Sequence, residues 1–331
     1  MKKAINNPEN IIDEMCEGFV LAYPHTVEMN SKYKFIKRKE MNSGKVCLIS
    51  GGGSGHEPAH AGYVGKGMLD AAICGDVFSA PSLMQIYNTI VETKSEKGTL
   101  LIIKNYSGDC MNFNGAADMA WEDDKIPIEK VFVNDDVAVE DSLYTVGRRG
   151  VAGTVFVHKI AGAAAETGAS LLDVKAIAER VISNTRSIGF ALTSCTVPSK
   201  GSPTFEISDR EMEFGVGIHG EPGISREEVI SADELSQKMI DRIFADFEFS
   251  PDDEIALMVN GFGATPLMEL YILNRAVHKR LHDEKIRIYK SLVGNFMTSL
   301  DMAGASLSFL KLDEELKHYL EAPADTPAFS M

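Results

Sequence analysis

The sequence predicts an α/β protein of two α/β domains with mixed sheets, and three observations carry that prediction. Short β-type runs at 45–50, 71–74, 99–104 and 130–134 are each followed by a glycine-rich turn or a helical pattern. An alanine-rich stretch from Gly150 to Gly189 keeps apolar residues at helical spacing and predicts two long helices broken near Gly168. A second strand series follows at 188–197, 211–219 and 254–263, alternating with the amphipathic patterns ADELSQKMIDRIFADF and PLMELYILNRAVHKRLHDE. The boundary falls near residue 185. Residues 1–185 form an N-terminal domain with a glycine-rich ligand loop, and 186–331 a C-terminal one, with the ligand site expected at strand carboxyl ends between them. The end, EAPADTPAFSM, reads as a surface tail.

With 33 Lys+Arg against 48 Asp+Glu the formal net charge is −15. Such a chain has no basic surface with which to neutralise phosphates, so direct nucleic-acid binding is not expected. Neither a signal peptide nor a long apolar run is present, which predicts a cytoplasmic protein that does not enter the membrane. The cysteines Cys16, Cys47, Cys74, Cys110 and Cys195 are odd in number and lack metal-ligand spacing, and they read as reduced thiols. His278 and His282 stand four apart among charges, which suggests a solvated helix face rather than a metal pair. No metal or cofactor is expected.

Four segments could carry chemistry. GGGSGHEPAH at 51–60 follows a strand, but His56 stands where a G-x-G-x-x-G motif needs glycine, and no G-K-[ST] follows. Close backbone approach to a ligand along the glycine cluster, with His56 and Glu57 at the mouth, is one reading, and a tight turn opening a helix at Pro58 is the other. In IIKNYSGDCMNF at 102–113, Lys104 and Asp109 fall at a strand's carboxyl end beside His56, although Asp109 reads equally as a helix cap. In GVGIHGEPG at 215–223, small neighbours leave His219 approachable as a nucleophile, and a buried hydrogen-bonding histidine is the plainer alternative. The run Asp135, Asp136, Glu140, Asp141, Arg148, Arg149 could hold a metal or phosphate, but no nucleotide motif stands beside it and a salt-bridged interface is the favoured reading.

Together these segments resemble one family, the dihydroxyacetone-binding (K) subunits of dihydroxyacetone kinase. The likeness runs from MKKAINNPENIIDEM to the final helix, most specifically in SGGGSGHEPAHAGYVGKGML, LLIIKNYSGD, DDVAVEDSLYTVGRRGVAGTV, EFGVGIHGEPGI and NGFGATPLMELY. The resemblance implies that the ketone is held as a hemiaminal on His219. It also implies that His56 and Asp109 are catalytic, that Gly53 and Lys104 contact the ligand, that the chain is a homodimer, and that a separate nucleotide-bearing L subunit donates phosphate. One stretch departs from the pattern. Kinase subunits of this family usually read F-T-S-P-T-P-D where this chain has Phe78, Ser79, Ala80, Pro81, Ser82, Leu83 and Met84. That divergence favours a ligand sensor acting through a transcription factor over the catalytic subunit, while retained His56 and Asp109 weigh the other way.

Overall fold

The computed structural model describes residues 2–140 and 147–331. The first half opens with helix α1 (Ile11–Ala22) and strands β1 (Val27–Asn30), β2 (Phe35–Arg38), β3 (Cys47–Ser54) and β4 (Ala71–Val77). It continues through α2 (Leu83–Glu92), β5 (Thr99–Lys104), α3 (Ser107–Asp124) and β6 (Ile128–Val133). The strands form a sheet in the order β1-β2-β4-β3-β5-β6, in which β4, β3, β5 and β6 are parallel and the β1–β2 hairpin adds an antiparallel edge. Strands β3 and β5 are buried along their whole length, as expected of parallel strands covered on both faces.

Helices α4 (Thr154–Glu166) and α5 (Leu171–Ser183) are the two predicted from the alanine-rich stretch, and Gly168 between them takes φ +82°. Residues 154–165 of α4 are buried on every side, which its run of alanine and glycine permits and which explains why no polar stripe interrupts it.

The second half holds β7 (Thr185–Ala191), β8 (Glu211–Phe214), β9 (Ser225–Glu228), α6 (Ala232–Asp246), β10 (Glu254–Gly261) and α7 (Leu267–Asp283). β11 (Arg287–Gly294), β12 (Gly304–Leu312) and α8 (Glu314–Glu321) complete it. Its mixed sheet runs β11-β10-β12-β7-β8-β9, with only the β10–β11 pair parallel. One apolar core, containing Ile102, Val155, Ile160, Met258 and Leu310, joins residues of both sheets.

The chain end is no surface tail. The short strands β13 (Asp325–Thr326) and β14 (Phe329–Ser330) form a hairpin that buries Phe329 and bonds back to the first half, Asp325 N–H to Lys66 O at 2.9 Å and Ala328 N–H to Gly62 O at 2.9 Å. Its two prolines and small residues hid a tight turn. Among the described residues no helix is long and apolar enough to cross a membrane, no group of side chains is arranged to hold a metal, and the five cysteines are free. On α7, the His282 side chain is 90% exposed, in line with a solvated face.

Candidate active site

Because β3 lies between β4 and β5 in parallel register, the carboxyl ends of these strands open on one side. Gly53 lies near the end of β3, Lys104 is the last residue of β5, and Asp109 sits in the first turn of α3. Asp109 makes no cap bond, and Tyr106 occupies the N-cap position. No α-helix opens at Pro58 either; the loop after β3 instead turns through a short 3₁₀ segment at Ala61–Tyr63. That loop is stitched to the second half. Thr298 N–H reaches His56 O at 3.1 Å and Leu300 N–H reaches Gly55 O at 2.8 Å.

His219 comes from the loop after β8, which ends at Phe214, earlier than its sequence run suggested. Its imidazole meets Tyr106 edge-on at 4.5 Å between ring centroids, His56 at 4.8 Å and Phe78 at 5.1 Å. Phe78 also stacks on His56 at 5.1 Å, and it is held at φ +57°, a conformation that costs a non-glycine residue on the order of 1 kcal/mol or more. Close approach is what glycine supplies here. A Cβ on Gly53 would lie 2.5 Å from Ser79 N and 2.8 Å from the Phe78 carbonyl carbon.

A cleft of about 590 Å³ opens on this cluster, lined by Gly53, Phe78, Ala80, Tyr106, Asp109 and His219. His56 and Lys104, both wholly buried, lie behind its wall. A second cavity of about 370 Å³, beyond Gly52 and Gly53, is mostly apolar and is lined by neither Asp109 nor His219. The five residues singled out from the sequence are thus brought together by the fold.

The electrostatics follow from burial. His56 Nδ1 donates to Thr298 O at 2.8 Å, leaving Nε2 as an acceptor. Burial and then the Lys104 charge hold its imidazole well below the ordinary range, so it is neutral. Burial lowers the Lys104 ammonium and raises the Asp109 carboxyl, while their mutual attraction opposes both shifts. His56 Nε2, Lys104 Nζ and Asp109 Oδ1 are buried without a protein hydrogen-bond partner. Since folded proteins satisfy nearly all buried polar atoms, three such atoms in one neighbourhood mark where a polar ligand would bind.

Sequence reasoning missed several members of this cluster. His219 Nδ1 donates to Glu221 Oε1 at 2.8 Å, and the His219 backbone N–H donates to Glu221 Oε2 at 2.9 Å. Burial works against the Glu221 carboxylate, yet the adjacent His219 and then Arg149 bring it down to about 2. A glutamate two residues after the histidine was the available signal. Of the acidic and basic residues at 135–149 that the structure describes, Asp135, Asp136 and Arg149 make buried internal contacts, Arg148 makes a half-buried pair, and Glu140 is exposed. Asp135 accepts from Val151 N–H and Gly153 N–H, each at 2.8 Å, Arg149 pairs with Asp136 at 2.7 Å, and Arg148 pairs with Asp246. Asp141 lies outside the described residues. In the divergent loop, Ser82 caps α2 in a capping box, Leu83 packs towards α3, and Met84 is 45% exposed.

Residues 17–328 match the model of the Dak1 domain. The chain is 51% identical to the dihydroxyacetone-binding subunit DhaK of PTS-dependent dihydroxyacetone kinase 1 from Listeria innocua, over 99% of this chain and all of that one. It is 50% identical to the corresponding DhaK of Lactococcus lactis, over 95% of this chain and 94% of the other. Among solved structures, the dihydroxyacetone kinase operon co-activator Dha-DhaQ superposes with a TM-score of 0.90 at 35% identity, covering 95% of this chain and 97% of the other. The dihydroxyacetone kinase of C. freundii gives 0.89 at 35% identity, covering 99% of this chain and 60% of that longer one. By sequence and by fold, the chain belongs to the Dak1 domain family and is a DhaK-like protein.

Proposed function

We propose that this chain is the dihydroxyacetone-binding subunit of a PTS-dependent dihydroxyacetone kinase, and that it captures its ketone covalently on His219. The observation that carries the reading is the convergence of His56 Nε2, Lys104 Nζ and Asp109 Oδ1, all lacking protein partners, around an imidazole whose Nδ1 is already engaged. Capture forms a bond from His219 Nε2 to the carbonyl carbon, while the π pair moves to oxygen and that oxygen takes up a proton. Glycerol has no carbonyl and is excluded by the chemistry rather than by fit. A terminal hydroxyl of the held ligand then passes its proton to Asp109 as its oxygen attacks the donor's phosphorus. The donor's own P–O bond breaks and the leaving oxygen stays with the donor nucleotide, while His56 Nε2 accepts a hydrogen bond that orients the ligand. The donor comes from a partner, the nucleotide-bearing L subunit.

The regulator reading favoured by the loop at 78–84 is kept as a second one. Ala80 on the cleft rim and exposed Met84 are the observations for it. Against it stands the full-length identity of 50–51% to kinase subunits. So does the burial of an ionisable Asp109, which a sensor that only traps a ketone does not need for proton transfer. Mixing the purified chain with a nucleotide-loaded L subunit, its phosphate source and dihydroxyacetone decides between them: sustained phosphorylation supports the kinase subunit, and binding without turnover the regulator.

The assembly proposed is a homodimer through α7. Leu267, Met268, Tyr271 and Ile272 are exposed on one helical stripe, a patch that a second copy of the chain would cover. Light scattering then gives twice 36.1 kDa, and a monomer at micromolar concentration rejects the idea.

A further inference from the structure

Arg149 is a wholly buried guanidinium whose bonds are unevenly spent. Its Nε donates to Asp136 Oδ2 at 2.8 Å and its Nη2 to Gly215 O at 2.8 Å, while Nη1 is buried without a protein hydrogen-bond partner. Nη1 faces Glu221 across Gly217. A Cβ on Gly217 would lie 2.1 Å from Glu221 Oε2 and 2.7 Å from Arg149 Nη1, so only glycine lets the two groups share that space. Glu221 is itself 3% exposed, and its two oxygens accept separately, Oε2 from the backbone N–H of His219 and Oε1 from its ring Nδ1. Two bonded pairs, Asp136 with Arg149 and Glu221 with His219, therefore face each other across Gly217, near enough for the Arg149 charge to act on the Glu221 carboxylate through space.

We propose that Glu221, which faces the Arg149 guanidinium across Gly217, is a positioning residue that fixes which nitrogen of His219 attacks the ketone. The inference rests on the reading of His219 as the capturing residue, and goes beyond it by naming what makes that imidazole a nucleophile. With a carboxylate facing Nδ1, the ring proton stays on Nδ1 and the lone pair stays on Nε2. As Nε2 bonds to the carbonyl carbon and the carbonyl oxygen takes a proton from solvent, the ring becomes a cation still carrying its Nδ1 proton. Glu221 is the counter-charge beside it. The logic is that of the carboxylate in a serine-protease triad, where an amide replacement leaves the geometry but inverts the tautomer at a cost of about 10⁴ in rate.

The amide replacement is unusually informative in this site. In Glu221→Gln the backbone N–H of His219 demands an acceptor opposite it, so the amide oxygen is drawn to that side. The amide NH₂ then faces Nδ1, which must become the acceptor, and the ring proton moves to Nε2. The test is nitrogen NMR of ¹⁵N-histidine-labelled full-length protein without ligand, paired with the rate of dihydroxyacetone capture. Wild type is expected to show an unprotonated Nε2 at His219. Glu221→Gln should show a protonated Nε2 and capture slowed by at least about tenfold, and Glu221→Asp should restore the wild-type tautomer. An Nε2 that stays unprotonated in Glu221→Gln, with capture unchanged, overturns the proposal. Arg149→Met should shift the tautomer in the same direction, and if that variant does not fold the isosteric Glu221→Gln decides alone. Should wild type capture no ketone, the reading of the site fails, while the tautomer comparison still judges the role of Glu221.

Discussion

Removing the buried charges at the candidate site should stabilise the protein while abolishing its function. Lys104 is wholly buried and Asp109 is 4% exposed, yet Lys104 Nζ and Asp109 Oδ1 have no hydrogen-bond partner in the protein. Lys104 Nζ and Asp109 Oδ2 lie 3.2 and 3.6 Å from the point a Cβ on Gly52 would occupy, and the two make no ion pair. For unit charges roughly 6 Å apart at an effective dielectric near 20, the attraction is about 3 kcal/mol. Burying each ion costs several kcal/mol, so desolvation wins, and replacing such a pair by neutral groups of similar volume is typically neutral or stabilising by about 1–4 kcal/mol. The double variant Lys104→Met, Asp109→Asn should therefore shift its urea midpoint upwards with an unchanged slope, while ligand capture and phosphoryl transfer are lost. A midpoint lowered by the equivalent of about 2 kcal/mol or more would refute the reasoning, because the pair would then be part of the structural frame rather than a cost carried for a ligand.

Three further outcomes are expected. Burial holds His158 down at about 3 and keeps His56 and His60 well below the ordinary imidazole range. The unfolded chain protonates histidines near pH 6.5, so below that pH it binds more protons than the folded one. Stability should fall with pH by up to about 1.4 kcal/mol per unit for each histidine, and equal urea midpoints at about pH 7 and about pH 5 would contradict this. Gly53→Ala forces its Cβ against Ser79 N and should weaken ligand binding at least about tenfold, whereas Gly18→Ala on α1, where nothing lies within 4 Å of the new Cβ, should stabilise by up to about 1 kcal/mol. Calorimetric titration separates the two. Met84→Asp, at an exposed position, should leave ketone capture unchanged and alter only turnover with the L subunit, and loss of capture in that variant would place Met84 in the ligand site.

What the sequence made legible follows from the range of the forces involved. The parallel strands β3 and β5 were visible because burial on both faces leaves continuous apolar runs, and α4, α5, α6 and α7 because apolar spacing and Gly168 mark them. Strands β1, β2 and β9 went unseen, each four residues long with a partly exposed pattern that carries little signal, and the longer β11 and β12 went unseen as well. Residues 192–197 and 215–219 are apolar enough to read as strand, but β7 ends at Ala191 and β8 at Phe214, where Gly215 takes φ +81° and turns the chain away. Individual site residues stood out because Lys104 ends a strand-like run and His56, Asp109 and His219 each adjoin a glycine in the turn that follows one. Glu221 did not, and Arg149 stood out only as part of a charged run, since their approach depends on 71 residues of intervening chain being folded back.

The central claim is a covalent bond between this chain and its ketone, and one spectrum tests it most directly. Dihydroxyacetone labelled with ¹³C at the carbonyl, added to ¹⁵N-histidine-labelled protein, should give a protein-bound tetrahedral carbon split by one-bond coupling to ¹⁵N, in equimolar amount with the chain and absent from His219→Ala. A bound ligand that keeps its carbonyl resonance, or a tetrahedral carbon without nitrogen coupling, would contradict the account.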